Sequence, residues 1–145
     1  MWALIPINDF TESLSRLSDY LDRDQRREIT QILATQVFQA LYPIESIEKI
    51  VVLSNEIEWL ESFENPKITI LKDPEVKQLK EKIAHAVNWI QNQGVESVLY
   101  LSVDLPFVQD NDVANFITQH QGGLSIIKAH KESGTNALIL DLPTT

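Results

Sequence analysis

No cysteine occurs in the chain. Disulfides, thiolate chemistry and cysteine-ligated zinc or iron–sulfur centres are therefore excluded. Positive charge is scarce: 12 Lys and Arg stand against 21 Asp and Glu, a formal net charge of -9. Such a balance disfavours an interaction built on nucleic-acid backbone, which needs a basic surface. It leaves nucleotide binding open, because a few local cations and a metal can manage phosphates inside an acidic protein. No apolar run reaches the roughly 20 residues that span a bilayer. His85, His120 and His130 share no metal-binding spacing. Ser15 and Ser133 have no adjacent base, so nothing marks a nucleophilic serine. The first residues, Met1–Ile7, lack a basic leader and a cleavage site and read as a strand. We therefore expect a soluble cytoplasmic protein with no membrane and no nucleic acid as partner. There is no internal repeat, low-complexity tract or linker.

What remains is 145 residues, 43% of them hydrophobic, enough for one domain with one real core. The most informative stretch is Val98-Leu99-Tyr100-Leu101-Ser102-Val103-Asp104-Leu105-Pro106. An apolar run of this kind reads as a strand covered on both faces, as in a parallel sheet. Pro106 cannot donate to a ladder and ends it. Asp104 then leaves the sheet at a carboxyl end, the edge where open α/β sheets bind ligands. A carboxylate there suits a hard divalent cation held against phosphate oxygens. The alternative role for Asp104 is a turn or helix cap.

Taken in order, Met1–Ile7 is the first strand and residues 8–17 form a polar loop. Asp22 with Gln25 makes a capping box. Ile29, Ile32, Leu33, Val37, Ala40 and Leu41 give a helical stripe that Pro43 closes. Lys49–Leu53 is a strand. Glu56–Phe63 is a short helix with Ile57, Leu60 and Trp59 inward, and Lys67–Leu71 is a third strand. Asp73-Pro74 reads as a cap plus proline at a helix start. That helix uses Val76, Leu79, Ile83, Val87 and Ile90 and stops at Gly94. Lys72, Lys77, Lys80 and Lys82 read as its wet face. After the central strand, Asp110 caps a helix with Val113, Phe116 and Ile117 inside. Gly122-Gly123 breaks it before a strand at Leu124–Lys128. Residues 129–135 form a loop, and Asn136–Leu140 is the last strand. Trp2, Trp59 and Trp89 read as packing residues. Strands alternating with helices predict an α/β fold, a mainly parallel central sheet with helices on both faces. The loops after the first strand and after Val98–Val103 then leave from one edge. Arg16, Asp104 and the loop near Thr135 converge there.

Three segments carry a resemblance. Trp2-Ala3-Leu4-Ile5-Pro6-Ile7 with Ser15-Arg16-Leu17, then Val103-Asp104-Leu105-Pro106, then Ser133-Gly134-Thr135-Asn136-Ala137-Leu138 resemble, in order, motifs of the 2-phospho-L-lactate guanylyltransferase family. The resemblance implies a Rossmann-like nucleotidyltransferase fold of the nucleotide-diphospho-sugar transferase type. It implies transfer of GMP from GTP to a small phosphorylated carboxylate, 2-phospho-L-lactate or phosphoenolpyruvate, with release of pyrophosphate, in coenzyme F420 biosynthesis. Carried over by position, Asp104 is the catalytic carboxylate and magnesium ligand. Pro6 and Arg16 meet the nucleotide, and Gly134, Thr135 and Asn136 meet the acceptor. Several positions depart from the family pattern. Asn8 and Leu14 stand where the family carries lysines. Lys77-Gln78-Leu79-Lys80 replaces a Gly-Leu-Asn segment that helps select guanine. Ala129, His130 and Lys131 replace Pro-Asp-Arg. A second acidic motif would follow the last strand, so truncation at the C-terminus is the expectation. The alternative reading is a diverged, non-catalytic binding or assembly module on the same fold, and a homodimer is a possible partner arrangement.

Overall fold

The computed structural model describes residues 1–10, 14–76, 78–103, 108–128 and 135–143, and excludes the side chains of Arg16 and Thr135. Its elements are β1 (Trp2–Pro6), α1 (Arg23–Leu41), β2 (Lys49–Ser54), α2 (Ile57–Glu61), β3 (Ile68–Lys72), α3 (Leu79–Asn92), β4 (Ser97–Leu101), α4 (Asp110–Gln119), β5 (Leu124–Lys128) and β6 (Thr135–Asp141). A 3-10 turn, Ser15–Leu17, follows β1. The strands form one sheet in the order β3-β2-β1-β4-β6-β5. The four from β3 to β4 are mutually parallel, and β6 runs against both β4 and β5.

Continuous apolar strands form because both faces of the sheet are covered. Successive side chains alternate between the faces. Ala3, Ile5, Ile50, Val52, Leu99 and Leu101 point to one face, packed with Phe38 of α1, Leu60 of α2 and Val113 of α4. Leu4, Val51, Leu53 and Val98 point to the other, against Ala86 and Ile90 of α3. Each fully buried Leu, Ile or Val contributes about 1.5–3 kcal/mol relative to exposure.

Helix α1 starts where the capping box predicts. Asp22 Oδ1 accepts from Gln25 N–H at 2.8 Å, and Gln25 Oε1 accepts from Asp22 N–H at 3.0 Å. Just past its other end, Lys67 Nζ donates to the carbonyls of Tyr42 and Ile44, both at 2.9 Å. A cation there satisfies carbonyls the helix leaves open. The stripe of α1 is rotated from the expected one. Phe38 is fully buried, whereas Ile32 is 51% exposed. The buried set is Thr30, Ala34, Val37, Phe38, Ala40 and Leu41; Val37, Ala40 and Leu41 are as expected, and Ile32 is displaced from its steps of three and four.

Two expected caps are corrected. The third helix does not begin at Asp73-Pro74; it begins at Leu79, with Gln78 as its cap. Asp73 Oδ1 instead accepts from Glu75 N–H at 2.8 Å, a local turn that competes with capping. Glu75 has φ 62, left-handed backbone that no α-helix can continue. In α4, Asp110 is the first helical residue and Gln109 is the cap. Gln109 N–H donates to Asp112 Oδ2 at 3.0 Å. Gly94, at φ 82, does close α3 as expected. Strand β4 ends at Leu101, two residues before the predicted Val103. One further bond, Ser102 N–H to the Asn136 carbonyl at 3.0 Å, continues its pairing. Among the described residues no helix is long and apolar enough to cross a membrane.

Candidate functional site

The parallel register fixes a common carboxyl edge. Leu4 lies opposite Tyr100 and Pro6 opposite Leu53. Strand β6 enters beside the end of β4, with Ala137 opposite Leu101. Pro6 and Asn136 therefore stand at the same edge, and Arg16 lies in the 3-10 turn of the loop that leaves β1 there. Asp104 and Gly134 lie outside the described residues, as do the side chains of Arg16 and Thr135. Thr135 itself begins β6 and does not belong to the preceding loop. Among the described residues no group of three His, Asp or Glu comes together to hold a metal. His130 and Lys131 also fall outside them, whereas His85 lies on the exposed surface of α3.

The loop after β1 is held down by its aromatic residue. Phe10 is 4% exposed and stacks edge-on against Trp59, with ring centroids 5.3 Å apart. Its N–H donates to Glu56 Oε1 at 2.9 Å. The Arg27 guanidinium lies 5.8 Å from the ring centroid. Trp59 in turn meets Phe63 at 4.9 Å, and Phe63 meets Phe38 at 5.2 Å. This cluster places Asn8 and Asp9 at the rim of the sheet.

Sequence reasoning missed what lies next to them. A polar cleft of about 240 Å³ opens at the ends of β1, β2 and β3, lined by Asn8, Asp9, Asn55, Asp73, Glu75, Val76 and Lys82. Lys82 is not on the wet face of its helix. Its Nζ donates to Asp73 Oδ2 at 2.8 Å, with side chains 20% and 8% exposed. Asn55 Oδ1 is buried there with no partner among the described residues. A polar residue just beyond each of three parallel strands was the available signal, since that edge collects ligands. Among the described residues, the non-glycine residues with positive φ, Leu14 at 54 and Glu75 at 62, sit in loops of this edge. Strained backbone of that kind concentrates at functional sites.

A second polar cluster occupies the opposite edge. His120, at the end of α4, has Nδ1 2.7 Å from Ser125 Oγ and Nε2 2.9 Å from Asp141 Oδ1. Gly123 N–H donates to Asp141 Oδ2 at 2.8 Å. The bond to His120, then that from Gly123, lower the Asp141 pKa below the usual carboxylate range. Asp141 pairs with Ser97 at the start of β4, so this cluster ties α4 to β5 and β6 far from the cleft.

Comparison with known proteins bears on what this edge does. A family model described as "Guanylyl transferase CofC like" matches residues 1–144. The 2-phospho-L-lactate guanylyltransferase of Methanobrevibacter ruminantium is 27% identical over 151 residues, covering 97% of this chain and 63% of that protein. That of Methanosarcina barkeri is 30% identical over 144 residues, covering 99% and 64%. The phosphoenolpyruvate guanylyltransferase of Sphaerobacter thermophilus is 24% identical, covering 97% and 68%. The chain thus spans about three fifths of the length of the first two relatives. Among solved structures, one from Desulfovibrio desulfuricans G20, assigned as a nucleotide-diphospho-sugar transferase, superposes with TM-score 0.79 at 14% identity. It covers 96% of this chain and 62% of that one. A nucleotidyl transferase from Methanothermobacter gives TM-score 0.60 at 15% identity, covering 96% and 70%. These structures share the fold, a Rossmann-like nucleotidyltransferase sheet.

Proposed function

Because the chain belongs to the CofC-like guanylyl transferase family, matched over residues 1–144, we propose that it transfers GMP from GTP to a small phosphorylated carboxylate. The acceptor is 2-phospho-L-lactate or phosphoenolpyruvate, the compounds in the relatives' names. The step belongs to coenzyme F420 biosynthesis in the cytoplasm. A phosphate oxygen of the acceptor attacks the α-phosphorus of GTP. The bond from that phosphorus to the oxygen of the β-phosphate breaks, and pyrophosphate leaves with the electron pair.

The observation that supports this most is the shared carboxyl edge of β1 and β4. It carries Pro6 and Asn136, and β4 leads through Ser102 and Val103 toward Asp104. The cleft at the ends of β1–β3 takes part of the nucleotide. In this reading Arg16 holds a phosphate with its planar fork of donors. Gly134, Thr135 and Asn136 hold the acceptor. Asp104, together with the phosphates themselves, would hold magnesium, which when bound offsets the charge of the two anionic partners. The described residues alone make no metal site, so the assignment rests on Asp104 and on the oxygens that substrate brings. Positioning and charge stabilisation supply the acceleration, without a covalent enzyme intermediate.

The test is pyrophosphate release by the full chain with magnesium, GTP and either acceptor. Asp104→Asn serves as control. Release that requires both GTP and acceptor and falls at least a hundredfold in the variant (~2.7 kcal/mol) supports the proposal. No release, together with no GTP-dependent rise in melting temperature, overturns it.

A second reading, an assembly module, draws on strand β5. It is the last strand of the sheet, and Leu124, Ile126 and Ile127 on it are 54%, 43% and 45% exposed. An apolar edge of this kind is a template for pairing. Antiparallel pairing of β5 with β5 of a second copy obeys two-fold symmetry and yields a homodimer. Sedimentation of the parent and of Ile126→Lys decides it: a dimer that the variant dissociates supports the reading, and a monomeric parent removes it.

A further inference from the structure

All the arginines of the chain, Arg16, Arg23, Arg26 and Arg27, lie between positions 16 and 27. Three of them occupy the first two turns of α1, and the length of that helix decides where they stand. At 19 residues it is about 28 Å long, whereas the short strands β1 and β2 span ~17–20 Å. Its far end is level with the amino edge of the sheet, because Lys67, the residue before β3, bonds the carbonyls of Tyr42 and Ile44 just past it. The surplus of about 10 Å therefore projects beyond the carboxyl edge. The stripe that α1 buries begins with Thr30 and Ala34. Steps of three and four back from Thr30 reach Arg27, Arg26 and Arg23. The face of α1 that packs on the sheet thus carries arginine where it overhangs the edge, and long side chains on a helix lean toward its N-terminus.

In an acidic protein these cations have no carboxylate to neutralise them. Among the described residues, Arg23, Arg26 and Arg27 form no ion pair. Arg26 is half-buried, and its Nε is buried with no partner among the described residues. A buried donor of that kind calls for an acceptor from elsewhere, such as a bound ion. Arg27 is turned inward, its guanidinium 5.8 Å from the centroid of the Phe10 ring. The nearby carboxylates are engaged or turned away. Asp22 accepts from Gln25 N–H, Glu56 accepts from Phe10 N–H, and Asp24 and Glu28 are exposed, Glu28 in an outward groove with Ile32 and Thr35. We propose that Arg23, Arg26 and Arg27 hold the pyrophosphate that GMP transfer releases. The proposal rests on the reading of the protein as a GMP transferase and adds the side chains that receive the leaving group. When the bond from the α-phosphorus to the bridging oxygen breaks, the electron pair stays on that oxygen. It becomes a terminal oxygen of pyrophosphate, and no proton moves. A guanidinium fork meets two such oxygens at once, and the positive end of α1 adds to the same field. Arg26 Nε gains its acceptor from the same anion. Between residues 7 and 22 the loop itself brings only Arg16, so without α1 the polyanion would face a single cation.

Calorimetric titration of the full chain with sodium pyrophosphate, free of nucleotide and magnesium, tests this, with sodium phosphate as a second probe. The parent should bind pyrophosphate at least about tenfold tighter than phosphate, because the second phosphoryl group engages a further guanidinium. Arg26→Met should weaken pyrophosphate at least about tenfold, the loss expected for one charge-assisted hydrogen bond. Arg26→Lys should recover only part of this, since an ammonium has no fork. Lys49→Met removes one positive charge at the amino edge of the sheet, where β2 begins, and should change the affinity by less than about twofold, because salt screens distant charges. Pyrophosphate that does not bind the parent, binds no tighter than phosphate, or binds Arg26→Met as tightly as the parent overturns the proposal, whatever the release assay with GTP and acceptor gives. Binding that depends on the arginines supports it; if the chain then releases no pyrophosphate from GTP and acceptor, the transfer reading alone falls. If circular dichroism shows Arg26→Met unfolded, the double variant Arg23→Met/Arg27→Met, at exposed positions, decides by the same criterion.

Discussion

Phe10 offers the sharpest test of how packing positions the site, because one ring connects the core to the loop after β1. Truncation to alanine removes a ring that is 4% exposed, and buried Phe→Ala changes cost about 3–5 kcal/mol. The edge-on contact with Trp59 at 5.3 Å accounts for about 0.5–1.5 kcal/mol of this. Phe10 lies in a loop beyond β1, where the chain can partly collapse into the gap, so the expected loss is near the lower figure, about 3 kcal/mol. For a chain of this size that lowers the melting temperature by roughly 6–12 °C. With a urea slope of about 2 kcal/mol/M it moves the midpoint by about 1.5 M. Phe10→Leu should retain most of the buried area and lose only about 1 kcal/mol. Because Asn8 and Asp9 line the cleft, Phe10→Ala should also weaken GTP by about tenfold or more through misplacement of the loop. Urea denaturation followed by the fluorescence of Trp59, together with calorimetric titration of GTP, reads both effects. A variant that melts within about 2 °C of the parent refutes the anchoring role. A destabilised variant with unchanged GTP affinity refutes the link between this loop and the nucleotide.

Asp141 gives a pH dependence of defined sign. Its pKa is lowered in the fold by His120 and Gly123, so its contribution is present above the ordinary aspartate value of about 3.9 and is lost as pH falls through the lower folded value. Asp141→Asn should therefore remove part of the acid-side slope in a melting series from pH 6 to 2; an unchanged slope counts against the tether. Tyr42 Oη is buried without a partner among the described residues, and burial raises its pKa. Tyr42→Phe should be neutral or stabilising by up to about 1 kcal/mol, and a loss above 1 kcal/mol would mean the hydroxyl is bonded. Gly94 has φ 82 and nothing within 4 Å of an added Cβ, so Gly94→Ala should cost about 1 kcal/mol through backbone strain alone. Gly94→Asn should recover part of that cost, because Asn tolerates left-handed backbone.

What the sequence determined by itself is what depends on neighbours along the chain. The Asp22–Gln25 capping box is a spacing of three, and it forms. The runs at 1–7, 49–53 and 98–103 announce strands covered on both faces, since no alternation is needed when helices pack on either side. The parallel arrangement of β1 to β4 follows from the intervening helices. Tertiary structure alone decided the rest. Asp73 followed by Pro74 is locally a good helix cap; the Lys82 ammonium, nine positions later, and the bond from Glu75 N–H turn it into the floor of a cleft. The reversal of β6, which brings Asn136 beside Ser102, is a choice of partner between distant strands. His120 meets Asp141 across 21 positions. Capping and periodicity are written in steps of two to four residues, whereas a cleft is a meeting of loops whose separation in sequence carries no pattern.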